Sequence, residues 1–205
     1  MRLTLRRGVQ ADAPILTDVY LSAFTNDLIS QRVFPRTPTT HKWWTDMLRE
    51  ELADPHSHFI CIIDEDAQPT PQIIAFAKWN DPQPASSQPQ ELPKWPEGGD
   101  AELGNLFFGE LMTKRPEIMG EKRHWYLELL ATRMEYQGKG AGGKLIRWGL
   151  EKADEEDVET YLEGSPDGVP IYRRFGFEEV GRLNVFEGKF VEVFMLRPKQ
   201  GGKKA

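Results

Sequence analysis

The chain has 205 residues, 39% hydrophobic and 28% charged, with a net charge of −6 and a pI near 5.4. That length suits one domain with a sizeable core, the composition argues against wholesale disorder, and the acidic balance speaks against a dedicated nucleic-acid binder. Cys61 is the one cysteine, so no intrachain disulfide is available, and the longest apolar run, Phe59 to Ile63, falls far short of the ~20 residues a membrane helix needs. The opening residues carry Arg2, Arg6 and Arg7 without an apolar stretch, unlike a secretory signal, so a cytoplasmic protein with no membrane partner is expected.

Leu3–Leu5 reads as a first strand. A helix is expected from Asp12–Ala13–Pro14, where proline is tolerated just inside the start, with Ile15, Leu16, Val19, Tyr20 and Ala23 as its apolar stripe. A second helix spans 39–53, with Trp44, Met47, Leu48 and Leu52 on one face, and Pro55 ends it. Strands follow at His58–Ile63 and Gln72–Trp79. Residues 80–98, crowded with Pro82, Pro84, Pro89, Pro93 and Pro96, read as a surface loop inside one domain, with Trp79 and Trp95 at its edges as possible pocket walls. A helix from Ala101 to Lys114 leads to a strand at 124–132. Beyond it come a helix at 142–154, a strand at 158–163, a short helix at 168–174, and strands at 176–186 and 189–196. The acidic run Asp154–Asp157 is expected to be a solvated helix end. The domain is expected to cover residues 1–198, with a disordered tail at 199–205.

Between the strand at 124–132 and the next helix lies the most chemically specific stretch, with Gly138, Gly140, Gly142 and Gly143. Strand, glycine loop and helix start together suit a phosphate-bearing ligand, because glycines admit close backbone approach and the helix start offers unpaired N–H groups. Three motifs overlap here. Gly138–x–Gly140–x–x–Gly143 fits a dinucleotide-binding pattern, with Glu159 or Glu163 about 20 residues on as the ribose acid. That fold needs several more βα units than the remaining chain supplies. Gly138–x–x–x–x–Gly143–Lys144 fits most of a P-loop, but Leu145 stands where a magnesium-binding hydroxyl belongs.

The third motif, Gln137–Gly138–Lys139–Gly140–Ala141–Gly142, together with Tyr172–Arg173–Arg174–Phe175–Gly176–Phe177 about 30 residues on, resembles the GNAT superfamily of N-acetyltransferases. The resemblance covers residues 123–186 and departs in two places. Ser165 stands where the family often has a pantetheine-binding Asn, and Met134 replaces a common proline. It implies a mixed, mostly antiparallel α/β sheet of about six to seven strands flanked by helices. It also implies acetyl-CoA as co-substrate, held by Leu130, Ala131 and Thr132, by Gln137, Gly138, Lys139, Gly140, Ala141, Gly142 and Gly143, and by Ser165. Tyr172 is then placed beside the CoA sulfur as general acid. The amine acceptor, expected to be a small molecule, would bind near residues 24–45, the 80–120 insertion and the final strand pair.

Acetyl transfer to an amine requires loss of an amine proton, a donor to the carbonyl oxygen and a proton for the leaving thiolate. Glu128 is the candidate base: strand alternation groups it with Tyr126 and Leu130, opposite Leu127, Leu129 and Ala131, and its apolar neighbours should raise its pKa. No metal is expected, since His56 and His58 lack further ligands at suitable spacing. Two readings from other classes stand beside this one: a non-catalytic acyl-CoA-binding module and a dinucleotide-binding oxidoreductase.

Overall fold

Seven strands form one sheet in the order β1-β2-β3-β4-β5-β7-β6 in the computed structural model, which describes residues 1–83 and 91–201. They are β1 (Leu3–Arg7), β2 (Ser57–Asp64), β3 (Gln72–Gln83), β4 (His124–Thr132), β5 (Glu159–Gly164), β6 (Glu178–Val185) and β7 (Phe190–Arg197). Every neighbouring pair is antiparallel except β4 and β5. This is the mixed, mostly antiparallel arrangement expected, and it removes the dinucleotide reading, which needs a parallel doubly wound sheet.

Alternation along the strands sends side chains to the two faces of the sheet, each of which is covered by a core. In β2, Ile60 and Ile62 face α5 (Ala141–Glu156), while Phe59 and Cys61 face α1 (Ala13–Ala23) and α3 (Pro38–Glu51). The second face also receives α2 (Leu28–Val33) and α4 (Ala101–Met119), and α6 (Val169–Arg173) joins α5 on the first. Helix starts follow their capping residues. Thr37 accepts a hydrogen bond from the Thr40 N–H at 3.2 Å before Pro38, and Asp100 accepts one from Leu103 at 3.0 Å.

Three local readings are corrected. Helix α2 was absent from the periodicity because six residues barely complete a turn and a half; its local signal is the Asp27 cap, which accepts from the Ser30 N–H at 2.7 Å. Strand β3 continues past Trp79 to Gln83, although it contains Pro82. The register passes from Asn80–Tyr126 to Gln83–His124, so an irregularity takes the residue that cannot donate to the ladder. The rest of the expected loop's proline-rich core, 84–90, lies outside the described residues, as do 202–205 of the expected tail. Helix α4 passes Lys114 and ends at Met119, with Pro116 in its last turn. The acidic run Asp154–Asp157 ends α5 as expected, with Glu155 and Glu156 exposed, and Asp154 also binds the nearly buried Arg197 through both oxygens, at 2.7 and 3.0 Å.

Trp79 is also not a pocket wall. Its ring is fully buried against Gly149 of α5, and its indole N–H donates to the Leu145 carbonyl at 3.2 Å. A Cβ at Gly149 would lie 2.2 Å from the ring. Gly149→Ala is therefore expected to cost about 1–3 kcal/mol, read as a drop of several degrees in thermal melting.

Candidate active site

β4 and β5 run parallel from His124–Glu159 to Leu127–Leu162; beyond Leu127 no strand among the described residues pairs with that edge of β4. The opening coincides with a bulge on the other edge. Lys78 of β3 pairs with Leu129 and Trp79 with Leu127, so Glu128 is the extra residue of β4. A bulge re-aims side chains, and this one breaks the expected alternation. Leu127 and Leu130 both pack toward α5, whereas Leu129 and Ala131 turn to the opposite core. Leu130 thus shares a face with Leu127, not with Glu128. Leu130, Ala131 and Thr132 line the opened edge with their backbone.

The glycine loop begins one short turn beyond β4. Gly138 has φ of 74° and Gly140 of 87°, both in the left-handed region that side chains avoid, and nothing lies within 4 Å of where a Cβ would sit. Gly140 caps α5 without any side-chain bond, which leaves the first N–H groups of the helix, at Ala141, Gly142 and Gly143, directed outward. Gly142 and Gly143 have ordinary backbone angles, and a Cβ there would meet Leu130, Phe175 and Arg147 at ordinary contact distance. Gln137 ties the loop back to β4, donating to the Thr132 carbonyl at 3.2 Å. Lys139 lies over the Tyr136 ring, and Lys144 is exposed beside the helix start. The cradle's open backbone donors and helix dipole fit the pyrophosphate of acetyl-CoA.

The carboxylates behave unlike the expectation for Glu128. Its Oε1 accepts from Lys78 Nζ at 2.8 Å and its Oε2 from Asn80 Nδ2 at 2.6 Å. About 35% of the side chain is reached by solvent from the cleft. Burial opposes ionisation, but the ammonium and the amide outweigh it, and the pKa falls below the usual glutamate value. Lys78, itself nearly fully buried, also binds Glu51 of α3 at 2.9 Å and is held protonated between the two acids.

Glu163 of β5 takes the character expected of Glu128. Burial pushes its pKa up to about 7, although Tyr126 donates to its Oε2 at 2.8 Å and Arg115 lies near. Its Oε1 and the Tyr161 hydroxyl are buried side by side, and that hydroxyl also favours the ionised form. Arg115 of α4 covers the Tyr126 ring, 4.3 Å from its centroid. Glu192 of β7 is only 6% exposed and its pKa is well raised, first by burial and then by Glu163 and Asp27. Lys78, Asn80, Tyr126, Arg115 and Glu192 were not singled out from the sequence, and Glu163 only as a ribose acid. The signal used for Glu128, a carboxylate inside an apolar strand, also marks Glu192 in Phe-Val-Glu-Val-Phe-Met.

Tyr172 sits on α6, 7% exposed, with its ring against the backbone of Gly164 and Gly168, where a Cβ would come within 3.3 and 2.8 Å of it. Burial and the Glu192 charge hold it protonated well above the usual tyrosine range. Ser165 links β5 to α6, its carbonyl accepting from Gly168 and Val169 at 2.9 and 3.0 Å. Tyr172 and Ser165 thus stand past the end of β5, across the opening from the glycine loop at the end of β4.

A mixed sheet splayed between its two parallel strands, with a glycine cradle at the splay, defines a class of acyl-CoA-dependent transferase. The model of the acetyltransferase (GNAT) family matches residues 21–177, and the chain belongs to that family. Solved structures share its fold. One is a Corynebacterium glutamicum protein described as histone acetyltransferase HPA2 and related acetyltransferase (24% identity, 97% of each chain, TM-score 0.64). The ribosomal-protein-S18-alanine N-acetyltransferase of Escherichia coli is 13% identical over 100% of this chain and 99% of its own, with a TM-score of 0.58. Arabidopsis thaliana NAA60, solved with acetyl-CoA, is 14% identical over 95% of this chain and 97% of its own, with a TM-score of 0.57. No helix among the described residues is long and apolar enough to cross a membrane.

Proposed function

We propose that the protein transfers the acetyl group of acetyl-CoA to a primary amine of a small molecule by direct attack, with both substrates bound together. The observation that carries this reading is the opened edge of β4 running into an uncapped helix start through two glycines of positive φ. Gln137 to Gly143 would hold the pyrophosphate, the backbone of Leu130, Ala131 and Thr132 the pantetheine arm, and Ser165 its far side. The co-substrate supplies a thioester, an activated acetyl group that needs no covalent enzyme intermediate. Holding the amine beside it supplies much of the rate.

Tyr172 stays protonated at any working pH and donates to the departing sulfur. Glu128, fixed by Lys78 and Asn80, is held ionised at the opening. It draws in the acceptor and takes its proton through water.

Calorimetry with acetyl-CoA, and with NAD(P) and ATP as controls, tests the assignment, and Gly142→Asp is the variant of choice. Gly140→Asp would strain a left-handed residue, whereas Gly142 has room for a side chain. A carboxylate there faces the phosphates, so acetyl-CoA affinity is expected to fall at least about thirtyfold with melting unchanged. Unaltered affinity would refute the phosphate site. Tight NAD(P) binding without acetyl-CoA binding would refute the whole reading.

A further inference from the structure

Five carboxylates form a series from the rim of the cleft to the sheet. Asp167 and Asp27 line a rim cavity together with Asn26, Ser165, Lys189 and Phe190. Glu192 follows, then Glu163, then Glu128. Each acts on the next through its charge: Asp167 on Asp27, Asp27 on Glu192, Glu163 on Glu192, and Glu128 on Glu163. The strand register explains the inner pair. Glu163 lies opposite Phe194 of β7, so Glu192, two residues earlier on β7, shares its face as a diagonal neighbour.

Cations of the protein already answer part of this charge. Arg36 lies near Asp27, Lys189 at the rim, Arg115 near Glu163, and Lys78 on Glu128. Of the inner pair, Glu163 has the Tyr126 hydroxyl on one oxygen and the buried Tyr161 hydroxyl beside the other. Glu192, buried to 6% exposure, is left over, with no hydrogen bond or ion pair among the described residues. A buried carboxylate of this kind is costly unless a donor or cation arrives to meet it. Phe190 at the rim provides apolar surface for an alkyl chain.

We infer that the acceptor is a linear aliphatic diamine or polyamine, with one ammonium held by Glu192 and Glu163 and another amine reaching the opening of the sheet. This deepens the amine-acetylating reading and rests on it. The reacting ammonium loses one proton through water to Glu128, and its nitrogen then forms a C–N bond to the acetyl carbon as the C–S bond breaks. The thiolate takes the Tyr172 proton, and the second proton released from the attacking nitrogen restores Tyr172. The product is an N-acetylated amine that keeps its second positive charge, together with CoA thiol.

The test is steady-state acetylation of 1,5-diaminopentane against n-pentylamine at saturating acetyl-CoA, for the native protein and Glu192→Gln. A kcat/KM at least about thirtyfold higher for the diamine is expected, collapsing to within about threefold in Glu192→Gln. Gln keeps the size of the side chain and removes a buried acid, so folding is not at risk. Calorimetric binding of the diamine to the complex with CoA, weakened at least about tenfold by the same variant, reads the site without turnover. Equal efficiency for the two amines, or a preference that Glu192→Gln leaves intact, overturns the inference while the acetyltransferase reading stands. Acetylation of peptide amino termini but of neither amine, with acetyl-CoA bound, overturns the small-amine reading and the inference with it.

Discussion

Tyr172→Phe is expected to lower kcat by about 10²–10³-fold while leaving acetyl-CoA affinity within about twofold. The ring is held by the backbone of Gly164 and Gly168 and meets Phe177 edge-on, with centroids 6.0 Å apart. Phenylalanine keeps all of that packing. The hydroxyl makes no hydrogen bond among the described residues, so its loss removes no structural interaction, and melting should stay within about 1 °C. A group positioned for fold alone would therefore leave both stability and turnover unchanged. A hydroxyl donating to the leaving sulfur affects only turnover, and more strongly for a poorer leaving thiolate. Glu128→Gln is the companion variant. Because Lys78 and Asn80 already hold the carboxylate ionised, it is expected to act on acceptor KM and kcat together and to leave the acid limb of the pH profile in place. Unchanged turnover in both variants would show that acid and base lie elsewhere.

The acid limb should belong to Glu163. Its pKa of about 7 means that the carboxylate proposed to hold a cationic acceptor ionises across neutrality. Acceptor kcat/KM is therefore expected to rise with pH through about 7, and Glu163→Gln should remove that inflection along with at least about tenfold of the efficiency at pH 8. The facing groups set the direction. Tyr126, Arg115 and Tyr161 favour the ionised form, burial and Glu128 oppose it, and burial dominates.

Stability runs the other way. A carboxyl whose pKa rises on folding contributes stability fully present below the unfolded value, near 4.5, and lost as pH rises through 7. Glu163 thus withdraws up to about 3 kcal/mol between about pH 4 and pH 8, and Glu192 acts in the same direction. Asp12, held low by Arg6, and Glu128, held low by Lys78, contribute the opposite slope at acid pH. In ligand-free protein, Glu163→Gln should therefore raise melting by several degrees at pH 8 and hardly at all near pH 4.5. An identical melting change at both pH values would mean that the carboxyl is not held against ionisation.

The glycine loop was legible because backbone constraints are local. Gly138 and Gly140 occupy φ values that other residues avoid, and they stand between a strand and a helix whose apolar periods are plain. Most elements came through for the same reason, and α2 did not, because six residues show no period. Pro82 misled because its effect depends on whether the ladder needs its N–H, which is a matter of register.

The electrostatics of the site were not legible in this way. The expectation that Glu128 would be desolvated and basic was reasonable for Leu-Glu-Leu-Leu. Lys78 and Asn80 reverse it from 50 and 48 residues away, through a bulge that turns Glu128 toward them. Glu163 and Glu192 become neighbours only because β7 inserts between β5 and β6.

By itself the sequence determined the cradle, the order of elements and the family they resemble, since these rest on φ angles and side-chain periods that each segment carries. Which carboxylates are ionised and which are left without partners were decided by the tertiary structure. Solvation and Coulomb energies depend on distances between residues that the chain order keeps apart.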